Sequence, residues 1–131
     1  MPSLYTPDGH HGWFAVTDEE NRRVQVVTQL GQVMQLLEGN AANGLDMLSD
    51  HLFGITVCLA ADGRVEILVA DSENYRVVAL ALDGSTARVV CGTGRQGKAA
   101  GELDFPGGLV VTAAGDLWVA DQMNHRVCVF R

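Results

Sequence analysis

Asp71-Ser72-Glu73-Asn74-Tyr75-Arg76-Val77 has the form D-x-x-N-x-R-V, and the chain writes it twice more, at Asp18–Val24 and Asp121–Val127. Copies spaced 53 and 50 residues apart define a repeat architecture. The copying extends outward from the core string. Residues 18–39 lie on residues 71–92 without a gap, matching Gly31 to Gly84 and Gly39 to Gly92, and Val24, Val27, Leu36 and Leu37 to Val77, Leu80, Val89 and Val90. Before each Asp stands an apolar run of strand length: Trp13–Thr17, Glu66–Ala70 and Asp116–Ala120.

Short Val-, Ile- and Leu-rich runs bounded by Gly, Asp and Asn read as strands. The best helical candidate, Gln29–Leu37, aligns with Asp83–Val90, which opens on an Asp-Gly turn and contains Val89-Val90. The partner decides for strand. In the middle unit, strand a is Gly54–Leu59, b is Val65–Ala70, c is Arg76–Leu82 and d is Thr86–Cys91. Asp-x-x-Asn joins b to c, and Asp83-Gly84, a strong hairpin signal, joins c to d. Four antiparallel strands in a meander make one propeller blade. The expected fold is all-β, an open arc of about three blades near residues 2–39, 54–92 and 107–131, the last incomplete.

The string from Leu117 to Phe130 resembles the signature of NHL-repeat β-propellers, an apolar strand running into V-A-D-x-x-N-H-R and an apolar strand ending V-F. Gly92, Gly94, Gly97 and Gly101 lead to Phe105-Pro106-Gly107-Gly108-Leu109, similar to the family's glycine-punctuated link between blades. The first copy departs most, with Thr17 for Ala and Arg22 in the His position.

Asp and Asn bond to backbone groups two residues away and tolerate left-handed conformations, so Asp18/Asn21, Asp71/Asn74 and Asp121/Asn124 are expected to fix the b–c turns. Arg23, Arg76 and Arg126 are expected to tie each hairpin to an Asp of the same or the adjacent blade. Residues present in every copy hold blades together, so function is sought in the unrepeated ones. Trp13, Tyr75, Met123 and His125, at strand ends and in hairpin turns, are the expected partner contacts. Trp118, in mid-strand, is expected to pack between blades.

The composition, 47% hydrophobic and 19% charged with 15 glycines, is that of a globular protein rather than a disordered one. No apolar stretch approaches the roughly 20 residues of a membrane span, and Met1–Tyr5 does not begin a signal peptide. Cys58, Cys91 and Cys128, odd in number and without C-x-x-C spacing, read as free thiols of a reducing, cytoplasmic compartment. His10, His11, His51 and His125 lack the spacing of a zinc site, and no cofactor or metal is expected. Gly92–Gly97 fits G-x-G-x-x-G, but the dinucleotide motif must open a helix, and Lys98–Asp104 with Gly101 in its middle leaves no room for one.

The formal charge of −7, with dispersed basic residues, argues against nucleic acid. No nucleophile, base and orienting acid stand in a recognisable pattern, so the expected function is a non-catalytic protein-interaction scaffold, a segment of a longer NHL-repeat protein. The resemblance also admits part of an amidating-lyase-like or lactonase-like propeller enzyme, and an RNA-binding or substrate-receptor domain of a ubiquitin-ligase-type protein. Counted from Pro2–Tyr5 as a first strand a, the chain holds two blades and three quarters of a third, and three copies would close awkwardly. Exposed blade edges make self-association the other expected partner mode, alongside an unidentified protein.

Overall fold

Alternating apolar residues between glycine and aspartate turns give strands that bury one face each, and the chain folds as an all-β arc of three antiparallel sheets. A computed structural model describes residues 12–131. The first sheet is β1 (Trp13–Asp18), β2 (Arg23–Thr28) and β3 (Val33–Leu37). The second is β4 (Leu52–Leu59), β5 (Val65–Asp71), β6 (Arg76–Ala81) and β7 (Ala87–Cys91), hydrogen-bonded in chain order. The third is β8 (Pro106–Val111), β9 (Leu117–Asp121) and β10 (Arg126–Phe130). The second sheet is a complete blade, its strands within two residues of the expected ones. The expected first strand at Pro2–Tyr5, with His10 and His11, lies outside the described residues.

Each b–c turn is a single 3₁₀ turn, at Glu19–Asn21, Ser72–Asn74 and Gln122–Asn124. The left-handed conformation falls on the residue after the Asn: Arg22 (φ 57°), Tyr75 (φ 54°) and His125 (φ 54°). Asp and Asn span each turn through their side chains, the Asn amide donating to the Asp carboxylate. The c–d turns use Gly31 and Gly84, both at positive φ, where a side chain would be strained.

Two cores separate the three sheets. Val24, Val26 and Leu37 of the first sheet meet Ile67, Val69, Val78 and Leu80 of the second, with Leu45 and Leu48 of the linker between. On the opposite face, Leu68, Ala70, Val77 and Ala79 meet Leu109, Leu117 and Val119 of the third sheet, with Leu103 of the next linker. The second sheet is therefore buried on both faces and the outer sheets on one. The expected glycine-rich decoy at Gly92–Gly97 is loop, held by the bridge between Gln96 and Leu103.

Trp118 departs from expectation. Among the described residues it packs against no other sheet: it is 48% exposed on the face of the third sheet turned away from the second, while its neighbours Leu117 and Val119 point into the core. Strand alternation forces this choice, since the two faces of β9 cannot both meet the second sheet.

The innermost strands β4 and β8 lie against each other. A Cβ built at Gly54 would stand 2.2 Å from the Gly107 carbonyl oxygen and 2.8 Å from the Leu109 nitrogen. Only glycine permits that approach. The buried Ser72 hydroxyl donates to the Pro106 carbonyl, a second tie from the second sheet to the third.

Candidate functional site

Each repeated Asp is the centre of a clasp. Asp71 Oδ2 accepts from Asn74 Nδ2 at 2.9 Å and from Arg76 Nε at 2.8 Å, and its Oδ1 accepts the backbone N–H of Ser49 at 2.8 Å. Asn74 and Arg76 also donate to linker carbonyls, those of Met47 (3.1 Å) and Asp46 (3.1 Å). The third copy repeats the arrangement. Asp121 accepts from Asn124 (2.9 Å), Arg126 (2.8 Å) and the Asp104 N–H (2.7 Å), while Asn124 and Arg126 donate to the carbonyls of Gly97 and Lys98. In the first copy Asp18 accepts from Asn21, Arg23 and Gln25.

The Arg therefore binds the Asp of its own hairpin, and the pair grips the linker that leads into the same blade. Burial pushes the Asp121 carboxyl up, but the Asp104 N–H, Asn124 and Arg126 outweigh it and hold it below 3.8. Arg23, then Gln25 and Asn21, likewise hold Asp18 below 3.8. Among the described residues no buried side-chain nitrogen or oxygen lacks a hydrogen-bond partner.

The unrepeated residues collect elsewhere. Tyr75 and Glu73 from the second hairpin, Met123 from the third, and Gln96, Asp104 and Phe105 from the linker line an open groove of about 440 Å³. Tyr75 is half-buried and Met123 is 59% exposed. Two of the expected contact residues thus meet at one place. His125 is exposed at its left-handed turn and is not among the residues lining the groove. Trp13 lies apart, half-buried against the first core.

Beside the groove stands a cluster that spacing in the sequence did not reveal. His51 Nδ1 lies 3.0 Å from Asp50 Oδ1 and 3.0 Å from Glu73 Oε1. One ring nitrogen faces two carboxylates, and it can donate its proton to one of them at a time. The Asp50 hydrogen bond, with the charge of Glu73 behind it, raises His51 above 6.5; the same bond lowers Asp50 below 3.8. Among the described residues this is the grouping of His, Cys, Asp and Glu whose ligand atoms converge closely enough to hold a cation. His51 also packs edge-on to Phe105, ring centroids 5.8 Å apart, and Phe105 lies 5.4 Å from Phe53. Glu73 and Phe105 belong to both the cluster and the groove.

The thiols are not part of this site. Cys91 is buried and its pKa is pushed up to about 12, so it stays protonated at neutral pH. Burial raises Cys58 and Cys128 as well. No helix among the described residues is long and apolar enough to cross a membrane.

No curated protein matches the chain. Residues 103–130 match the family model of the NHL repeat. The matched span runs from the core anchor Leu103 through β8, β9 and β10, and holds Asp104, Asp121, Asn124 and Arg126 of the third clasp. With the same clasp geometry in the second copy and its Asp, Asn and Arg core in the first, this match is consistent with an NHL-repeat family.

Proposed function

We propose that the chain is a non-catalytic propeller segment of a longer NHL-repeat protein, acting as a protein-interaction scaffold that holds a partner's peptide in the groove between its second and third hairpins. The convergence of unrepeated Tyr75, Met123 and Phe105 on one open groove carries this reading. Apolar and aromatic side chains supply contact area at low entropic cost. Glu73 and Asp104 in the lining, with Asp50 beside it, give the groove a negative character in keeping with the net charge of −7. The fitting partner is an extended segment with a Lys or Arg next to a large apolar residue.

Selection of a displayed random-peptide library on the immobilised chain tests this. The expected consensus pairs a basic with an apolar residue, its binding weakens in salt, and Met123→Asp or Glu73→Lys abolishes it. A library that yields no consensus, or one whose binding survives both substitutions, overturns the reading.

A further inference from the structure

Asp50, His51 and Glu73 set two carboxylates against one imidazole nitrogen. His51 Nδ1 lies 3.0 Å from Asp50 Oδ1 and 3.0 Å from Glu73 Oε1, and one ligand atom from each residue lies within 4.8 Å of the other two. A proton on Nδ1 serves one of these oxygens at a time and, by charging the ring, offsets one of the two negative charges. A dication at the same point offsets both while the ring stays neutral. The spacing is close to that of a coordination shell: ligands roughly 2.0–2.2 Å from a tetrahedral zinc ion stand about 3.4 Å apart. Both carboxylates are half-exposed, so a small rotation makes that room.

The fold fixes these donors from both sides. The His51 carbonyl accepts the Ser72 N–H (3.0 Å) and the Ser49 hydroxyl (3.1 Å), and the Ser49 N–H is held by Asp71 of the clasp. The imidazole is set edge-on to Phe105 and tilted against Phe53, with ring centroids 5.8 and 6.4 Å apart. The clasp itself requires neither His51 nor Glu73. Pro106 pairs with Asp121 as Leu52 pairs with Asp71, so Phe105 stands where His51 does, and the motif puts Met123 in the place of Glu73. The third unit therefore builds the same clasp with apolar side chains at both positions.

We infer that Asp50, His51 and Glu73 are the three protein ligands of a divalent transition-metal site, with zinc as its ion, that joins the linker before β4 to the second hairpin. Imidazole together with two carboxylates suits zinc, whereas calcium and magnesium take oxygen ligands. Three protein ligands leave the fourth position of a tetrahedral ion to water. The site rests on these three side chains and not on the peptide-binding reading of the groove, although Glu73 belongs to both.

Calorimetric titration of zinc chloride into the chelator-washed chain tests this. His10→Gln and His11→Gln are introduced together as the background, so that this adjacent pair adds no second site. One zinc ion per chain should bind, and the ring resonances of His51 should shift while those of His125 stay in place. Asp50→Asn and Glu73→Gln each remove one ligand charge at a half-exposed side chain. Both variants should therefore keep the circular dichroism spectrum of the parent and bind zinc more weakly by about tenfold or more. Absence of saturable binding below about 1 mM zinc overturns the site. So does an ion that either variant holds at full strength, since that ion would sit on other residues.

Discussion

At the scale of single residues, a carboxylate repeated three times acts as a structural clasp. Asp71 is fully buried and Arg76 is 6% exposed, and between them they satisfy a linker N–H and two linker carbonyls through Asn74 and Arg76. Removing one partner of a buried pair leaves the other uncompensated, at a cost of about 3 kcal/mol. Asp71→Ala and Arg76→Met should therefore each lower the melting temperature markedly, whereas Asp62→Ala, which breaks the exposed pair with Arg64, should leave it unchanged. Thermal unfolding of the three variants decides.

His51 gives a residue-scale test of the acidic cluster. Because its folded pKa lies above 6.5, the stabilisation it contributes is complete below 6.5 and is lost as pH rises through the raised value. An NMR titration should place its midpoint above 6.5, and Asp50→Asn should move that midpoint down. A midpoint at the ordinary value in the wild type would mean the cluster does not form. The sequence did not announce this cluster. Asp50 and His51 sit in a linker and Glu73 in a turn, and only the clasp, by pinning that linker to the hairpin, brings them together.

At the scale of elements, strands and turns were legible because the unit is written three times and ambiguities in one copy are settled by another. Gln29–Leu37, helical by composition, is strand β3 over Val33–Leu37, as its aligned partner indicated. The turn was read less well. The Asp-x-x-Asn string marks the turn but not the residue at positive φ: Asn74 and Asn124 turn their amides onto the Asp and a linker carbonyl, and the next residue takes the left-handed φ. A left-handed residue with a β-branched side chain costs about 1–2 kcal/mol. His125→Val should lower the unfolding free energy by that amount in denaturant titration, and His125→Gly should leave it unchanged or raise it slightly. Equal effects would place the left-handed residue elsewhere. The hydroxyl of Ser72, unrepeated in the other hairpins, is a tie between elements, and Ser72→Ala should cost about 1 kcal/mol by leaving the buried Pro106 carbonyl without its donor.

At the scale of the molecule, three sheets stack so that each touches only its neighbours, and stability follows from the sheets and the two junctions between them. The number of sheets and their order could be read from the repeat period. The direction in which Trp118 points could not. Strand alternation puts it on one face or the other, and which face is covered depends on the stacking order, which no single strand records.

The junction between β4 and β8 is where the stacking can be tested most directly. Gly54 leaves no room for a methyl group against the Gly107 carbonyl, while a Cβ at Gly108 meets nothing within 4 Å. Overpacking of this kind costs about 1–3 kcal/mol, worth several degrees in a domain of this size. Measured side by side, Gly54→Ala should lower the melting temperature by several degrees and Gly108→Ala should leave it in place. If Gly54→Ala proves as harmless as Gly108→Ala, the second and third sheets are not stacked through their innermost strands, and the propeller arc described for this chain is wrong.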